Sequence, residues 1–279
     1  MQVAIVAHHR TSTNLALACA RPGLRILEPA IAGRTLGEGD VAIGRLDVAG
    51  SLDGIEAGLW ELARLEGAGV RVLNRPRTLV AAHDKLATSR ALLEANVAHP
   101  RTAHVTASSD SVPFDPPVVV KPRFGSWGLD VVLCEDAAAL RRHLVAIADR
   151  PWFASHGALV QELVPPRGHD IRLVIAGASV VGAIKRVAAP GEWRTNVALG
   201  AVREPVDPST EACELAIRTA AAVEGNLVGV DLLPGADGGL VVIEVNGAVE
   251  FTHAYSLEGV DVFRRTVDAL LPDPVAAVA

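Results

Sequence analysis

The chain has 279 residues, long enough for two or three lobes with substantial hydrophobic cores. Half of the residues are hydrophobic and 21% are charged, as is usual for a globular protein. The net charge of −6 provides no overall basic field, which argues against a nucleic-acid partner.

Cysteine usage favours a reducing environment. Cys19, Cys134 and Cys213 are far apart and form no CxxC pair, so the sequence predicts neither a disulfide framework nor a zinc site. No apolar run reaches membrane-spanning length, and the start lacks the basic flank of a signal peptide. We therefore expect a cytoplasmic protein that does not associate with a membrane.

The first part of the chain alternates short apolar strands with helical patterns, which predicts an α/β layer with a parallel sheet. It contains neither GxGxxG nor GxxxxGK[ST], so no motif supports a dinucleotide site or a P-loop. The predicted elements are strands at Val3 to Ala7, Leu24 to Leu27, Val41 to Leu46 and Val70 to Leu73, and helices at Asn14 to Ala20, at Leu52 to Glu66 with Ser51 as N-cap, and at Asp84 to Asn96.

A strand, a glycine-containing turn and a second strand follow three prolines. The first strand, Val118 to Pro122, ends on Lys121, and the turn runs from Arg123 to Gly128 before a strand at Val131 to Cys134. Backbone amides in such a flap can approach phosphate oxygens, and Lys121 adds a positive charge. A plain hairpin with a surface lysine explains the same pattern.

The middle of the chain combines a helix with three further strands. One strand runs from Ala158 and stops at a double proline, so its last backbone groups are free to bond an adenine edge, with Glu162 near ribose hydroxyls. Lys185 and Arg186 are adjacent on a strand and point to opposite faces, so only one of them faces a site. The predicted elements are a helix at Asp136 to Arg150, strands at Asp170 to Ala176 and Val180 to Val187, and helices at Pro208 to Val223 and Glu258 to Leu271.

Three oxygen ligands lie on a predicted β-hairpin. Its strands are Leu227 to Leu232 and Val242 to Asn246, separated by the turn-forming run from Pro234 to Gly239. Glu244 and Asn246 project from one face, and Asp231 on the partner strand can face them. Magnesium prefers a few such oxygens, with water and phosphates completing its shell. On spacing alone, a strand end with solvent-facing polar residues explains the pattern equally well.

The order of these elements resembles the ATP-grasp superfamily and, more closely, its RimK-like carboxylate–amine ligases, from about Val80 to Leu271. The resemblance implies an ATP-grasp fold with an N-terminal Rossmann-like parallel α/β domain at 1–79, a central lobe with the phosphate loop at 80–160 and a C-terminal lobe with the metal site at 161–279. The motifs that carry it are His83 to Lys85, Lys121-Pro122 with Gly125 to Gly128, Gln161 to Val164, Asp170 to Arg172, Ile184 to Arg186, Arg194 to Asn196, Gly229 to Asp231 and Glu244 to Asn246.

Within that family the chain is most similar to the LysX branch, which joins an amino acid to the C-terminal glutamate of a small acidic carrier protein. The similarity rests on Gly125 to Gly128, Trp193 to Asn196 and Glu250-Phe251. Two segments depart from the branch: Leu129-Asp130 stands where a basic residue is common, and Gly247-Ala248 replaces a His-Thr pair. The resemblance therefore specifies the reaction type more closely than the substrate.

The resemblance also implies roles for individual residues and two cofactors, ATP and Mg²⁺. Two Mg²⁺ ions are expected, and Mn²⁺ can replace them. Lys121 and Arg186 are the expected catalytic residues, and Asp231, Glu244 and Asn246 the expected metal ligands. The expected ATP ligands are Lys85, Lys121, Gly125, Ser126, Trp127, Gly128, Gln161, Glu162, Leu163, Val164, Asp170 and Lys185. The expected substrate contacts are Arg186, Arg194, Thr195, Asn196, Glu250 and Phe251.

The implied activity is ADP-forming ligation. A carboxylate takes the γ-phosphate of ATP, and an amine attacks the acylphosphate to give a peptide or isopeptide bond. The expected partners are a free amino acid and glutamate or a glutamate-terminated carrier protein, with the enzyme a dimer or tetramer. A RimK-like glutamate ligase, a D-alanine-type dipeptide ligase and a non-catalytic ATP-binding module remain as alternatives.

Overall fold

The computed structural model describes residues 1–109, 112–235 and 238–272, which form three lobes with one sheet each. The first lobe has a parallel four-stranded sheet in the order β2-β1-β3-β4, as the alternating pattern predicts. Its elements are β1 (Val3–Val6), α1 (Ser12–Ala20), β2 (Leu24–Leu27), α2 (Pro29–Thr35), β3 (Val41–Gly44), α3 (Leu59–Gly67), β4 (Arg71–Leu73) and α4 (Pro76–His83).

The helix predicted from Leu52 is wrong in its start, because α3 begins at Leu59 after Gly58. Ser51 caps no helix; its hydroxyl donates to the Asp53 carboxylate within an exposed loop. The sequence reading also missed α2 and α4. Both begin with proline, which breaks many patterns but suits the first helical turn.

The central lobe carries an antiparallel sheet in the order β5-β8-β6-β7. The predicted flap is present as β6, a loop and β7. The helix expected to reach Arg150 ends at Ala146, and a second helix starts at Pro151. The elements are α5 (Lys85–Glu94), β5 (Thr102–Val105), β6 (Val118–Pro122), β7 (Val132–Cys134), α6 (Ala137–Ala146), α7 (Pro151–His156) and β8 (Ala158–Glu162).

The third lobe has an antiparallel five-stranded sheet in the order β11-β10-β9-β12-β13. The predicted hairpin is confirmed, with Asp231 directly opposite Glu244; residues 236 and 237 of its turn lie outside the described part of the chain. The elements are β9 (His169–Ala176), β10 (Ser179–Val187), β11 (Val202–Glu204), α8 (Thr210–Ala222), β12 (Leu227–Pro234), β13 (Leu240–Asn246) and α9 (Val262–Leu270). No helix in the described ranges has the length and apolar character needed to cross a membrane.

A shared hydrophobic core joins the first and third lobes. Ile5 and Ile43 of the parallel sheet are buried in the same cluster as Val174 of β9 and Leu227 of β12. The central lobe has a separate core around its own sheet, which includes Trp152. The first and third lobes are therefore packed as one body. The sheet of the central lobe has a core of its own, whereas Leu92 of α5 is buried in the core of the third lobe.

Asn74 adds a polar joint between the same two lobes. It is fully buried and has a left-handed backbone with φ of 52°. Its Nδ2 donates to the carbonyls of Leu227 (2.6 Å) and Gly247 (3.1 Å), and its Oδ1 accepts from the amides of Asn226 and Leu227. One side chain thus attaches the end of β4 to the start of β12 and the end of β13.

Substitution of Phe251 tests whether this residue belongs to the shared core. Its ring is 2% exposed and stacks on Phe263 with centroids 5.0 Å apart. We expect Phe251→Ala to lower the free energy of unfolding by about 3–5 kcal/mol, because truncation leaves a cavity. Chemical denaturation measures this change. The control Leu93→Ala, at a side chain that is 72% exposed, should stay within about 0.5 kcal/mol of wild type. Equal stability of the two variants would contradict the core placement.

Candidate active site

A cleft between the central and third lobes collects most of the residues singled out from the sequence. It is closed by the loop between β6 and β7 and by the ends of β6 and β8, with β9, β10, β12 and β13 on the other side. The predicted site residues on its walls are Lys85, Lys121, Gly125, Ser126, Gly128, Gln161, Glu162, Leu163, Val164, Asp170, Arg186, Arg194, Thr195, Asn196, Asp231 and Glu244.

A second cavity adjoins the cleft and shares Ser126, Arg186, Asn196 and Glu244 with it. Three more predicted residues lie on its walls instead of those of the cleft: Trp127, Asn246 and Glu250. The two spaces are therefore neighbouring compartments separated by a few side chains, of which Arg186 is the buried one.

Two predicted site residues line neither cavity. Lys185 points away from the cleft, and its Nζ lies 3.3 Å from Glu204. The opposite orientations of Lys185 and Arg186 are those expected of neighbours on a strand. Phe251 belongs to the shared core, where its backbone bonds with Thr13. We therefore leave Lys185 and Phe251 out of the proposed site.

Two lysines supply positive charge at the base of the flap. Lys121, the fourth residue of β6, is buried, and this burial together with the charge of Lys85 lowers the pKa of Lys121 to about 8. Lys85 is the first residue of α5. Its Nζ donates to the carbonyl of Gly125 at 2.7 Å and lies 2.9 Å from Glu244. Both lysines can contact phosphate oxygens held under the loop.

Four charged residues, three of them buried, form a network on three strands. Arg172 makes a bidentate pair with Asp231, at 2.6 and 2.7 Å. Arg186 pairs with both Asp170 (2.8 Å from Nε) and Asp231 (2.8 Å from Nη2). Thr195 donates to Asp170 at 2.5 Å. Two guanidinium groups and two carboxylates thus balance one another, with Asp170, Arg186 and Asp231 buried and Arg172 on the wall of the second cavity.

The network sets the protonation of its members. Burial alone raises the pKa of Asp231, but the charges of Arg172 and Arg186 hold that pKa at about 2. Burial raises the pKa of Asp170, although its bonds to Arg186 oppose the rise. The pKa of Arg186 lies above its ordinary value, because the two carboxylates outweigh the effect of burial. Arg186 therefore remains a fixed cation on the wall of both cavities.

The hairpin provides a donor set that fits a magnesium ion. Asp231 and Glu244 are opposite each other, and Asn246 lies two residues beyond Glu244 on β13. Burial opposes ionisation of Glu244, but Lys85 lowers its pKa below the ordinary value. The Nδ2 of Asn246 is buried without a hydrogen-bond partner. Within the described residues, no three or more His, Cys, Asp and Glu side chains are grouped as a metal site, so a magnesium ion here would need the amide oxygen of Asn246 beside the two carboxylates.

The far end of the cleft has apolar walls and a polar rim, as a nucleoside slot requires. Leu163 and Val164 line it just after β8, together with Ile243. Glu162 is held by Arg101 through two bonds of 3.1 Å, which lower its pKa. Ile243 was missed from the sequence. It is the extra residue of a β-bulge on β13, opposite the step from Asp231 to Leu232 on β12. Simple alternation of inward and outward side chains does not place such a residue.

Arg194 fastens the flap to the loop before β11. Its guanidinium pairs with Glu192, at 2.9 Å from Nη2, and its Nη1 donates to the carbonyls of Gly128 and Val131 at 3.2 Å. The bonds from Arg194 lower the pKa of Glu192 to about 2. The positive charge of Arg194, which was expected to hold a substrate carboxylate, is thus already compensated by Glu192. Arg194 instead holds the flap in position.

Sequence reasoning missed Asp47, which lines the second cavity. It follows β3 by three residues, at the carboxyl edge of the parallel sheet. Ligand-binding loops in open α/β sheets lie at that edge, so this position was the available signal. The side chain is 39% exposed.

Comparisons with known proteins agree with this geometry. A family model described as a RimK-like ATP-grasp domain matches residues 82–270. The chain is similar to the "Glutamate--LysW ligase ArgX" of Sulfurisphaera tokodaii, with 28% identity over 81% of this chain and 82% of that protein. It is 33% identical to a "Probable alpha-L-glutamate ligase" of Pseudomonas paraeruginosa over 72% of this chain and 67% of that one.

Among solved structures, the fold matches a RimK domain ATP-grasp protein from Sphaerobacter thermophilus with a TM-score of 0.67. That match covers 97% of this chain and all of the other, at 24% identity. The predicted α/β fold with a parallel N-terminal sheet is confirmed.

The charge network can be tested by Asp170→Asn. Removal of one carboxylate leaves buried guanidinium charge uncompensated, so we expect the free energy of unfolding to fall by about 3–5 kcal/mol. Denaturant titration measures the change. The matched control Glu204→Gln breaks an exposed pair with Lys185 and should cost less than about 1 kcal/mol. Comparable losses in the two variants would show that the network does not carry buried charge.

Proposed function

Since the chain belongs to the RimK-like ATP-grasp family, we propose that it joins an amine to the carboxylate of glutamate, either free or at the C-terminus of a carrier protein. It is an ATP-dependent carboxylate–amine ligase. The observation that supports the proposal most directly is the pair of adjoining cavities that share Arg186: one has phosphate-binding lysines and oxygen donors, and the other has room for an acceptor.

The larger cleft would hold ATP. Leu163 and Val164 would enclose the base, and Glu162 would accept bonds from ribose hydroxyls. Lys85 and Lys121 would contact the phosphates under the flap. A Cβ at Gly128 would lie 2.7 Å from Asn196 Oδ1, and its φ is 75°, so the flap can lie this close only with glycine there.

Asp231, Glu244 and Asn246 would hold magnesium. The charge of the ion would neutralise phosphate oxygens during transfer. Oδ2 of Asp231 accepts from both Arg172 and Arg186, whereas its Oδ1 accepts only from Arg172 and keeps a lone pair for a metal; Oε1 of Glu244, which contacts Lys85, keeps one as well. Burial with cationic neighbours keeps both carboxylates ionised, which is the state that a metal ligand needs.

Arg186 is placed to assist acyl transfer. A substrate carboxylate attacks the γ-phosphorus of ATP, ADP leaves, and an amine then displaces phosphate from the acylphosphate. Nε and Nη2 of Arg186 bond to Asp170 and Asp231. Nη1 makes no hydrogen bond within the described residues and can donate to the developing oxyanion. Closure of the flap, which includes Ser126, would exclude water, which hydrolyses acylphosphates.

The names of the relatives support glutamate as one of the two joined substrates. The archaeal relative is named for ligation of glutamate to LysW, and the Pseudomonas relative for glutamate ligation. The second candidate is a RimK-like glutamate ligase. It differs from the carrier-protein ligase in the molecule to which glutamate is joined. A cytoplasmic oligomer, which the three free cysteines and the resemblance favour, belongs to the same proposal.

The experiment that tests the proposal is a product assay with Mg²⁺ and ATP. Amino acids are supplied singly, with and without glutamate or a glutamate-terminated peptide, and ADP, AMP and phosphate are followed together. Substrate-dependent ADP and phosphate with a condensed product by mass spectrometry would support ligation. AMP in place of ADP would contradict the acylphosphate route, and ATP binding without product would favour a non-catalytic ATP-binding module.

The metal assignment predicts that Glu244→Gln binds Mg²⁺ at least about ten-fold more weakly and turns over orders of magnitude more slowly, because one anionic oxygen is lost. The Mg²⁺ dependence of ADP release measures both effects, and thermal unfolding monitors the fold. Glu135→Gln, at an exposed residue outside both cavities, is the control. Unchanged Mg²⁺ dependence in Glu244→Gln would exclude Glu244 as a ligand.

The lowered pKa of Lys121 predicts that affinity for ATP depends on pH. Its pKa is lowered to about 8, so the cation that contacts phosphate is present below that pH and is lost above it. We expect affinity for ATP to weaken as pH rises through about 8. Lys121→Arg should remove this dependence, because arginine remains charged. Binding titrations between pH 6.5 and about 9.5 measure it. Identical pH profiles for the two proteins would show that Lys121 does not titrate in the site.

A further inference from the structure

The connection between β3 and α3 extends from the first lobe to the central lobe. Its middle part, residues 47–56, folds back on itself as one loop, the 47–56 loop. The amide of Glu56 donates to the carbonyl of Asp47 at 2.8 Å, and Ile55 packs against the core of the first lobe. The base of the 47–56 loop is therefore fixed to the first lobe.

The tip of the 47–56 loop contacts the central lobe in two ways. Leu52 packs against the hydrophobic core of that lobe. The carbonyl of Asp53 accepts a hydrogen bond from Nε2 of His156, the last residue of α7, at 2.7 Å. A carbonyl oxygen can only accept, so Nε2 of His156 carries the hydrogen. One apolar contact and one hydrogen bond thus join the first lobe to the central lobe.

Leu52 has a backbone conformation that leucine rarely adopts. Its φ is 60°, in the left-handed region, where a side chain is crowded and glycine is preferred. A strained residue of this kind persists where surrounding contacts stabilise it. The contact of the Leu52 side chain with the central lobe provides that stabilisation, and it lies outside the lobe to which Leu52 belongs.

His156 also contacts the flap that covers the cleft. Its ring lies edge-on against the ring of Phe124, with centroids 5.2 Å apart and planes at 70°. Phe124 is buried, and the next residue, Gly125, accepts from Nζ of Lys85 through its carbonyl. The tip of the 47–56 loop is therefore connected to the start of the flap through the single side chain of His156.

The 47–56 loop and the flap also line one space. Asp47 at the base of the loop lies on the wall of the second cavity together with Ser126 and Trp127 of the flap. On the other side, Arg194 of the third lobe donates to two carbonyls at the end of the flap. Because the flap and α7 belong to the central lobe, that lobe cannot move away from the other two until these contacts break.

We propose that the contact of the 47–56 loop with the central lobe positions the flap over bound ATP, with Leu52 and His156 as the positioning residues. This inference rests on the proposed ligase function and adds the contact that keeps its cleft closed. Loss of the contact would let the flap open while the acylphosphate is present. Water would then cleave the acylphosphate to the carboxylate and phosphate, so that ADP and phosphate form without a condensed product.

Two variants each remove one contact. Leu52→Gly deletes the apolar contact and suits the left-handed backbone, so it should shift the midpoint of thermal unfolding by less than about 3 °C. His156→Leu removes the hydrogen-bond donor and keeps an apolar side chain beside Phe124, whereas His156→Gln restores a donor. Glu258→Gly is the matched control, at an exposed residue of the third lobe that also has a positive φ and lies outside both cavities.

Hydrogen exchange followed by mass spectrometry, on the full chain with Mg²⁺ and a non-hydrolysable ATP analogue, measures opening of the flap. In Leu52→Gly and His156→Leu the amides of residues 123–131 should exchange about three-fold faster or more, while those of β12 and β13 keep wild-type rates. His156→Gln and Glu258→Gly should behave as wild type.

Three results would overturn the positioning role. The first is wild-type exchange of the flap in either Leu52→Gly or His156→Leu. The second is equally faster exchange in β12 and β13, which would show a general loss of stability. The third is exchange in His156→Gln as fast as in His156→Leu, which would show that the bond to Asp53 does not hold the flap.

The ratio of ADP to condensed product separates this inference from the ligase proposal. Leu52→Gly and His156→Leu should raise the ratio about three-fold or more, whereas a purely structural defect would lower ADP and product together. If flap exchange changes as described but the wild type forms no condensed product with any substrate, the ligase proposal fails and the positioning role stands. If the wild type forms product and both variants keep its ratio and its flap exchange, ligation stands and the positioning role fails.

Discussion

The site depends on the buried balance of two guanidinium groups and two carboxylates on β9, β10 and β12. Arg172, Arg186, Asp170 and Asp231 compensate one another with little help from water. Removal of a single member leaves a charge that the interior cannot solvate. This balance fixes the side chain of Arg186 at the boundary of both cavities and keeps Asp231 ionised beside the proposed metal site.

Most strands could be predicted from the sequence, because burial on both faces or alternation leaves a strong pattern. The two-residue spacing of Glu244 and Asn246 placed both on one face of a strand that Asp231 could face, and the structure pairs Asp231 with Glu244. The start of α3 could not be predicted: Ser51 and Asp53 bond to each other within the loop, and helix formation begins only after Gly58. Local pattern does not distinguish these outcomes.

Only part of the site could be predicted, because local sequence pattern does not show which side chains tertiary packing brings together. Residues in ordered motifs, such as Lys121 and Glu244, reached the cleft. Phe251 did not, because an aromatic side chain next to a polar motif is equally suited to a core, and tertiary packing decides between the two. Asp47 was missed because its importance depends on a contact between lobes distant in sequence. The chemical roles of all these residues stay predictions until tested.

The joint at Asn74 has a consequence for motion. Its bonds to Leu227 and Gly247 join the parallel sheet to the hairpin that carries the metal donors, and the core around Ile5 spans the same two lobes. A hinge that admits nucleotide would then lie at the connections to the sheet of the central lobe. The central sheet and its flap would then move as one unit relative to the joined first and third lobes. Because Ser126 of the flap lines both cavities, the two cavities would open and close together.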